Sequence, residues 1–172
     1  MKLTVRELVV YSLLGAIMYV SKVALEFLPN VHMLAALTVA YTVCFRKKAL
    51  YPIYIYVFIN GLFAGFSMWW IPYLYLWTLL WAATMLLPRN MKPQVAVPVY
   101  MALCGLHGFL FGTLYAPAQA IMFGLSFDAT IAWIIAGLPW DAVHGISNIF
   151  MGTLVLPISQ AIKRVGGTMI QN

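Results

Sequence analysis

Residues 31–66 read VHMLAALTVAYTVCF, then RKK, then ALYPIYIYVFINGLFAGF. Two long apolar runs meet at three consecutive cations, Arg46, Lys47 and Lys48. A helix needs about 20 predominantly apolar residues to cross the hydrocarbon core of a bilayer, and short cytoplasmic loops collect Lys and Arg. The pattern predicts a membrane hairpin with its turn in the cytoplasm.

The same pattern extends in both directions. Six spans are predicted, at 8–27, 31–45, 49–66, 69–87, 95–115 and 138–162, all within a single transmembrane domain over 1–172. Between the last two, Ala116 to Gly137 is apolar but interrupted by Pro117, Gly124, Asp128 and Gly137, and it reads as one or two short interfacial helices. Nine of the ten Lys and Arg residues then fall on one side: Lys2, Arg6, Arg46, Lys47, Lys48, Arg89, Lys92, Lys163 and Arg164. The expected fold is an all-α integral membrane protein with six transmembrane helices and both termini in the cytoplasm.

Composition supports this class and excludes others. The chain has 172 residues, 64% apolar and only 8% charged, against a usual charged share of about a quarter. Disorder, collagen-like repetition and a disulfide-stapled module each need a different composition. The net charge of +6 does not point to nucleic acid, because the cations punctuate apolar runs instead of lining one face. Cys44 and Cys104 lie inside those runs and read as small buried hydrophobes. The first apolar stretch lacks a small-residue cleavage site and reads as a span, not a removed signal. There is no phosphate-cradling loop, so the chain is not expected to hydrolyse ATP itself.

Polar side chains inside spans are costly, so their positions are informative. Lys22 and Glu26 stand four apart near the outer end of span one, as an ion pair or as ligand groups. Asn60 lies deep in span three, and His107 deep in span five among Gly105, Gly108 and Gly112, whose spacing makes a smooth helix-packing ridge. Asp141, His144 and Asn148 are three and four residues apart and share one helical face. Asp141 follows Pro139 and Trp140, so capping of its own helix is the alternative reading. In span four, Trp70, Tyr73, Trp77 and Trp81 form an aromatic stripe, either bundle core or the wall of a pocket for a flat ligand. The segments Leu28 to His32 and Phe66 to Ile71 lie over the same outer end as possible lids. No pair of histidines has the company of a zinc site, and no metal or cofactor is expected.

Six spans in this length, both termini inside, and polar residues gathered beneath outer loops resemble the substrate-binding S component of energy-coupling factor transporters. The most local element is Ser12 with Ala16, four apart and beside Gly15. In that family two alanines at this spacing let span one pack against a coupling membrane subunit, and here Ser12 stands for the first. The resemblance implies no enzymatic activity. It implies high-affinity uptake of a vitamin-like substrate across a prokaryotic cell membrane, energised by the coupling subunit and two ATPases. The family's binding loops correspond in position to Leu28–His32, Phe66–Ile71 and Tyr115–Trp140. The expected substrate set is therefore Lys22, Glu26, His32, Asn60, Trp70, Tyr73, Trp77, His107, Trp140, Asp141, His144 and Asn148, suited to a heterocyclic, hydrogen-bonding molecule. The competing readings are a self-sufficient small transporter or channel and, behind it, an integral membrane enzyme using His107, Asp141 and His144.

Overall fold

The computed structural model describes residues 3–166 and is all-helical over them. Eight α-helices follow in order: α1 (Val5–Ala24), α2 (Leu34–Phe45), α3 (Leu50–Ala64), α4 (Tyr73–Met85), α5 (Pro93–Phe109), α6 (Phe111–Phe123), α7 (Phe127–Gly152) and α8 (Val155–Gly166). Single 3₁₀ turns at Arg46–Ala49 and Met68–Trp70 join α2 to α3 and α3 to α4. Lys2, counted among the cations flanking the first span, lies outside the described residues.

The surface is apolar and many polar side chains are inside. Val5, Leu8, Val9, Leu13, Ile17 and Val20 of α1 are all exposed, whereas Asn60, His107, Asp141, His144 and Asn148 are buried. A chain that must remain in water does not present so much contiguous apolar surface. By length and composition three helical segments are able to cross a membrane: Val5–Ala24, Pro93–Phe123 taken through the joint at Leu110, and Phe127–Gly152. The other helices are shorter than the sequence pattern predicts. At 1.5 Å per residue, α2, α3 and α4, of 12, 15 and 13 residues, reach only about 18–23 Å, against about 30 Å of hydrocarbon.

The reason differs from element to element. Helix α2 is buried from Leu34 to Phe45 except at Val43, the condition under which a helix is apolar on every side. Of its hydroxyls, Thr42 donates to the Thr38 carbonyl at 2.7 Å and Tyr41 to the Leu14 carbonyl of α1 at 3.2 Å, while Thr38 Oγ1 has no partner. The segment expected as one or two short interfacial helices is instead the later part of α6 and the first part of α7, interrupted only at 124–126. Helix α6 passes through Pro117 and stops at Gly124, which has φ +62°, a left-handed conformation suited to glycine. Helix α7 starts at an N-cap, Ser126, whose hydroxyl accepts from the Ala129 amide at 3.2 Å, and runs through Pro139. The predicted span 138–162 is thus two helices. Pro157 would clash with the Thr153 carbonyl in an unbroken helix, and the chain turns at Thr153–Leu154 before the amphipathic α8 begins.

One end of the bundle is tied by its charges. Thr4 and Glu7 form a reciprocal capping box at the start of α1, and Lys48 donates to Glu7 Oε1 at 2.5 Å. Arg46, with φ +52°, donates to the Met85 carbonyl at 2.6 Å and its own carbonyl accepts from Trp81 Nε1 at 3.0 Å. These bonds fasten α1, α3 and α4 together. Trp81 is therefore a structural clamp at this end, not a pocket wall.

The largest helix interface joins α5 and α7. A Cβ added to Gly108 would lie 2.8 Å from the Gly145 Cα, and one added to Gly152 would lie 2.6 Å from the Met101 Cα. The glycine ridge read from the sequence is where α7 sits. Replacing Gly108 with Ala is expected to destabilise the purified protein by about 1–3 kcal/mol. Gly137→Ala, with no neighbour within 4 Å of the new Cβ, is expected to be neutral or stabilising by under about 1 kcal/mol. Thermal denaturation in one detergent checks the contrast.

Candidate functional site

Trp77 is the hub of the polar interior. It is 1% exposed in the middle of α4, and rings approach it from four other elements. Tyr56 of α3 has its centroid at 6.1 Å, His107 of α5 at 5.6 Å, Phe111 at the start of α6 at 6.1 Å, and His32 of the α1–α2 connection at 6.3 Å. Tyr73, one turn earlier on α4, lies 6.0 Å away. His144 of α7 closes the group, 4.7 Å from His32 and 4.9 Å from Phe111.

The polar edges of these rings are buried and unmatched. Tyr56 Oη, Trp77 Nε1, His32 Nδ1, His107 Nδ1 and His144 Nε2 have no hydrogen-bond partner. Neither do Asn60 Oδ1, one turn beyond Tyr56, nor both carboxamide atoms of Asn148, one turn beyond His144. Each buried unsatisfied group costs about 1–3 kcal/mol, and native proteins hold such groups to a few per hundred residues. Eight of the buried unpartnered atoms among the described residues belong to this group, the others being Tyr11 Oη, Thr38 Oγ1 and Arg46 Nε; the eight form a donor and acceptor set that the protein itself leaves unmatched. His107 Nε2 lies 3.2 Å from the Leu76 carbonyl, which only accepts. That nitrogen therefore carries the proton, leaving Nδ1 as an acceptor.

The connection between α1 and α2 covers part of this group. Asn30 takes a left-handed turn with φ +59°, and its carbonyl accepts from Ser147 Oγ on α7 at 3.0 Å. That bond fixes the segment beside His144 and delivers His32. The other expected lid, Phe66–Ile71, is held by Trp70 Nε1 donating to the Val57 carbonyl at 2.8 Å, so Trp70 secures the turn with its polar atom already used.

The remaining expected site residues take other roles. Lys22 Nζ donates to Glu26 Oε1 at 3.3 Å, with the Glu26 side chain 63% exposed; the two charges pair with each other, and Lys22 is close enough to His32 for its charge to act on that ring. Asp141 is buried, but both its oxygens accept from the Gly112 amide, at 3.1 and 3.0 Å. It caps the N-terminus of α6 across the helix interface, where a carboxylate complements the unpaired amides and the helix dipole. A Cβ on Gly112 would lie 2.5 Å from Asp141 Oδ2, so glycine is what admits the carboxylate. Trp140 is 61% exposed and turns away from the bundle. On α1, Ser12 is exposed and Ala16 half-buried, whereas Gly15 faces inward, where an added Cβ would meet Pro52 O of α3 at 3.0 Å.

The structure thus brings together His32, Asn60, Tyr73, Trp77, His107, His144 and Asn148 from the expected set, and leaves out Lys22, Glu26, Trp70, Trp140 and Asp141. Tyr56 and Phe111 were missed. Tyr56 precedes Asn60 by four and Phe111 follows His107 by four, so helical spacing from the polar residues is the signal that finds both. No family model, curated protein or solved structure matches the chain.

Asp141→Ala is expected to lower stability by about 1–2 kcal/mol, the usual worth of an N-cap. The double change Lys22→Gln and Glu26→Gln is expected to cost under about 1 kcal/mol, as for an exposed pair. Thermal melts of the purified variants distinguish a cap from an exposed ion pair.

Proposed function

We propose that this chain is the membrane-embedded substrate-binding subunit of an energy-coupling factor type importer for a vitamin or related heterocyclic micronutrient. The observation that carries the reading is the buried group of ring side chains with Asn60 and Asn148, which together bear eight unpartnered polar atoms. Small-molecule sites combine apolar and aromatic walls with a few placed polar groups in this way. In this reading the chain crosses a prokaryotic cell membrane six times with both termini in the cytoplasm, and α2, α3 and α4 complete their spans with the flanking turns and loops. The tied end carrying Arg46, Lys47 and Lys48 then faces the cytoplasm, in keeping with the bias of basic residues to that side. The binding cluster lies toward the opposite side, beneath the connection that delivers His32.

Energy comes from elsewhere in this account. The chain has no nucleotide-binding motif, and a coupling transmembrane subunit with two ATPases supplies the drive. Helix α1 offers the coupling subunit an exposed apolar face on which Ser12 and Ala16 form a shallow stretch among Leu13, Ile17 and Val20. Gly15 serves the internal contact with α3 and contributes to that face only indirectly. A self-sufficient transporter needs a continuous polar path from the cluster to the cytoplasmic end; Thr42 and Thr84 there are spent on their own helix backbones, and the unpartnered Thr38 and Tyr11 hydroxyls are isolated groups among apolar side chains. An enzyme reading loses Asp141, whose oxygens are engaged by α6.

Two linked results test the proposal. Purification from native membranes in mild detergent is expected to recover a coupling subunit and two ATPases with the chain. Ala16→Leu is expected to abolish cellular uptake of the nutrient that a deletion strain requires, while leaving retention of that nutrient by the purified protein within about twofold of wild type. A chain that repeatedly purifies alone, or uptake that survives Ala16→Leu, contradicts the assignment.

A further inference from the structure

We infer that the ligand of this cluster is an uncharged, planar heteroaromatic compound, recognised by stacking and by neutral hydrogen bonds, and that compounds carrying a carboxylate, a phosphate or a fixed cation are rejected. This inference rests on the substrate-binding reading above and narrows it. The sequence alone offers a cation and two acids for such a site; the structure gives each of the three a partner within the protein.

Every charged side chain in the described residues has a place away from the cluster or a committed partner. Lys22 and Glu26 hold each other. Glu7 and Lys48 hold each other at the other end, where Arg46 is bonded to the Met85 carbonyl. Arg6, Lys47, Arg89, Lys92, Asp128, Lys163 and Arg164 are exposed. Asp141 is the only acid near the cluster among the described residues, and the Gly112 amide and the start of α6 already answer its charge. A ligand carboxylate or phosphate would enter an apolar interior where the nearby cation, Lys22, is already paired with Glu26, and a ligand cation would find no free anion. Burial of an unpaired charge is among the most expensive events in protein chemistry, so charge acts here as a selectivity filter.

What the cluster does supply is neutral and of both polarities. Trp77 Nε1 donates, Tyr56 Oη donates or accepts, His107 Nδ1 and Asn60 Oδ1 accept, and the Asn148 carboxamide offers one donor group and one acceptor. Carboxamides pair with the adjacent donor and acceptor edges of a heterocycle in two parallel bonds, as they do with adenine. Trp77, Phe111, Tyr73 and His144 contact one another edge to face or tilted at ring spacings of 4.9–6.4 Å, so a flat ligand ring enters by displacing one of these aromatic contacts and replacing it with its own.

The test is a titration of the full-length protein in detergent, purified after exhaustive washing, followed by intrinsic tryptophan fluorescence. Adenine and riboflavin are the neutral planar probes; nicotinate and biotin are the anionic ones; thiamine is the cation. At least one neutral probe is expected to saturate the signal with an affinity at least 100-fold above that for any charged probe. Asn148→Leu is expected to weaken that binding by tenfold or more with an unchanged thermal melt. A charged probe binding as tightly as any neutral one, and losing affinity in Asn148→Leu, overturns the inference while leaving the substrate-binding reading intact. Failure of every probe to bind, together with no small molecule released from the unwashed protein on denaturation, overturns both.

Discussion

Backbone meets backbone where Gly108 of α5 faces Gly145 of α7, and the rest of the interior depends on that approach. With any larger residue at either position the two helices would stand apart, because a single added carbon at Gly108 would already fall 2.8 Å from the opposing Cα. The close contact sets His107 and Asn148 beside one another. It also brings Asp141 within reach of the Gly112 amide, so that α6 can begin two residues after α5 ends. One stretch of small residues therefore fixes a helix interface, a cap and two members of the binding cluster. In an apolar environment this design is favoured, since packing and internal hydrogen bonds replace the hydrophobic effect as the source of helix association.

A second consequence follows from satisfying polar groups inside an apolar solvent. Of the four buried Ser and Thr hydroxyls among the described residues, Thr42, Thr84 and Ser159 donate to a carbonyl one turn earlier, and Thr38 is unpartnered. Against that background the unpartnered atoms around Trp77 stand apart. Their concentration in one place, on five different elements, is difficult to reconcile with a purely structural core, where an apolar side chain of similar shape would serve better. A ligand that supplies complementary edges gives them a function.

The sequence makes the class of protein legible because composition and the spacing of cations depend on no tertiary detail. It makes half of the cluster legible for the same reason: Asn60, His107, His144 and Asn148 are polar residues too deep to reach a surface. Helix ends were harder to read. Pro117 reads as a break and Pro139 as the start of a span, yet both lie inside helices that continue through them. Ser126 ahead of Asp128 and Ala129 is the capping pattern that marks the true start of α7. The role of Asp141 was not readable from its own helix, since its partner lies 29 residues away on another element. Lys22 and Glu26 carried two readings in sequence, and their geometry decides for the ion pair.

The central claim is that a small neutral molecule occupies the cluster around Trp77 and satisfies its polar edges. Native mass spectrometry of the protein released gently from its own membranes addresses this most directly. The account predicts a population one small molecule heavier than the bare chain, absent when Trp77 and Asn148 are replaced together by Phe and Leu. A bare mass for the wild-type protein under every release condition, with the chain folded by its thermal melt, would contradict it.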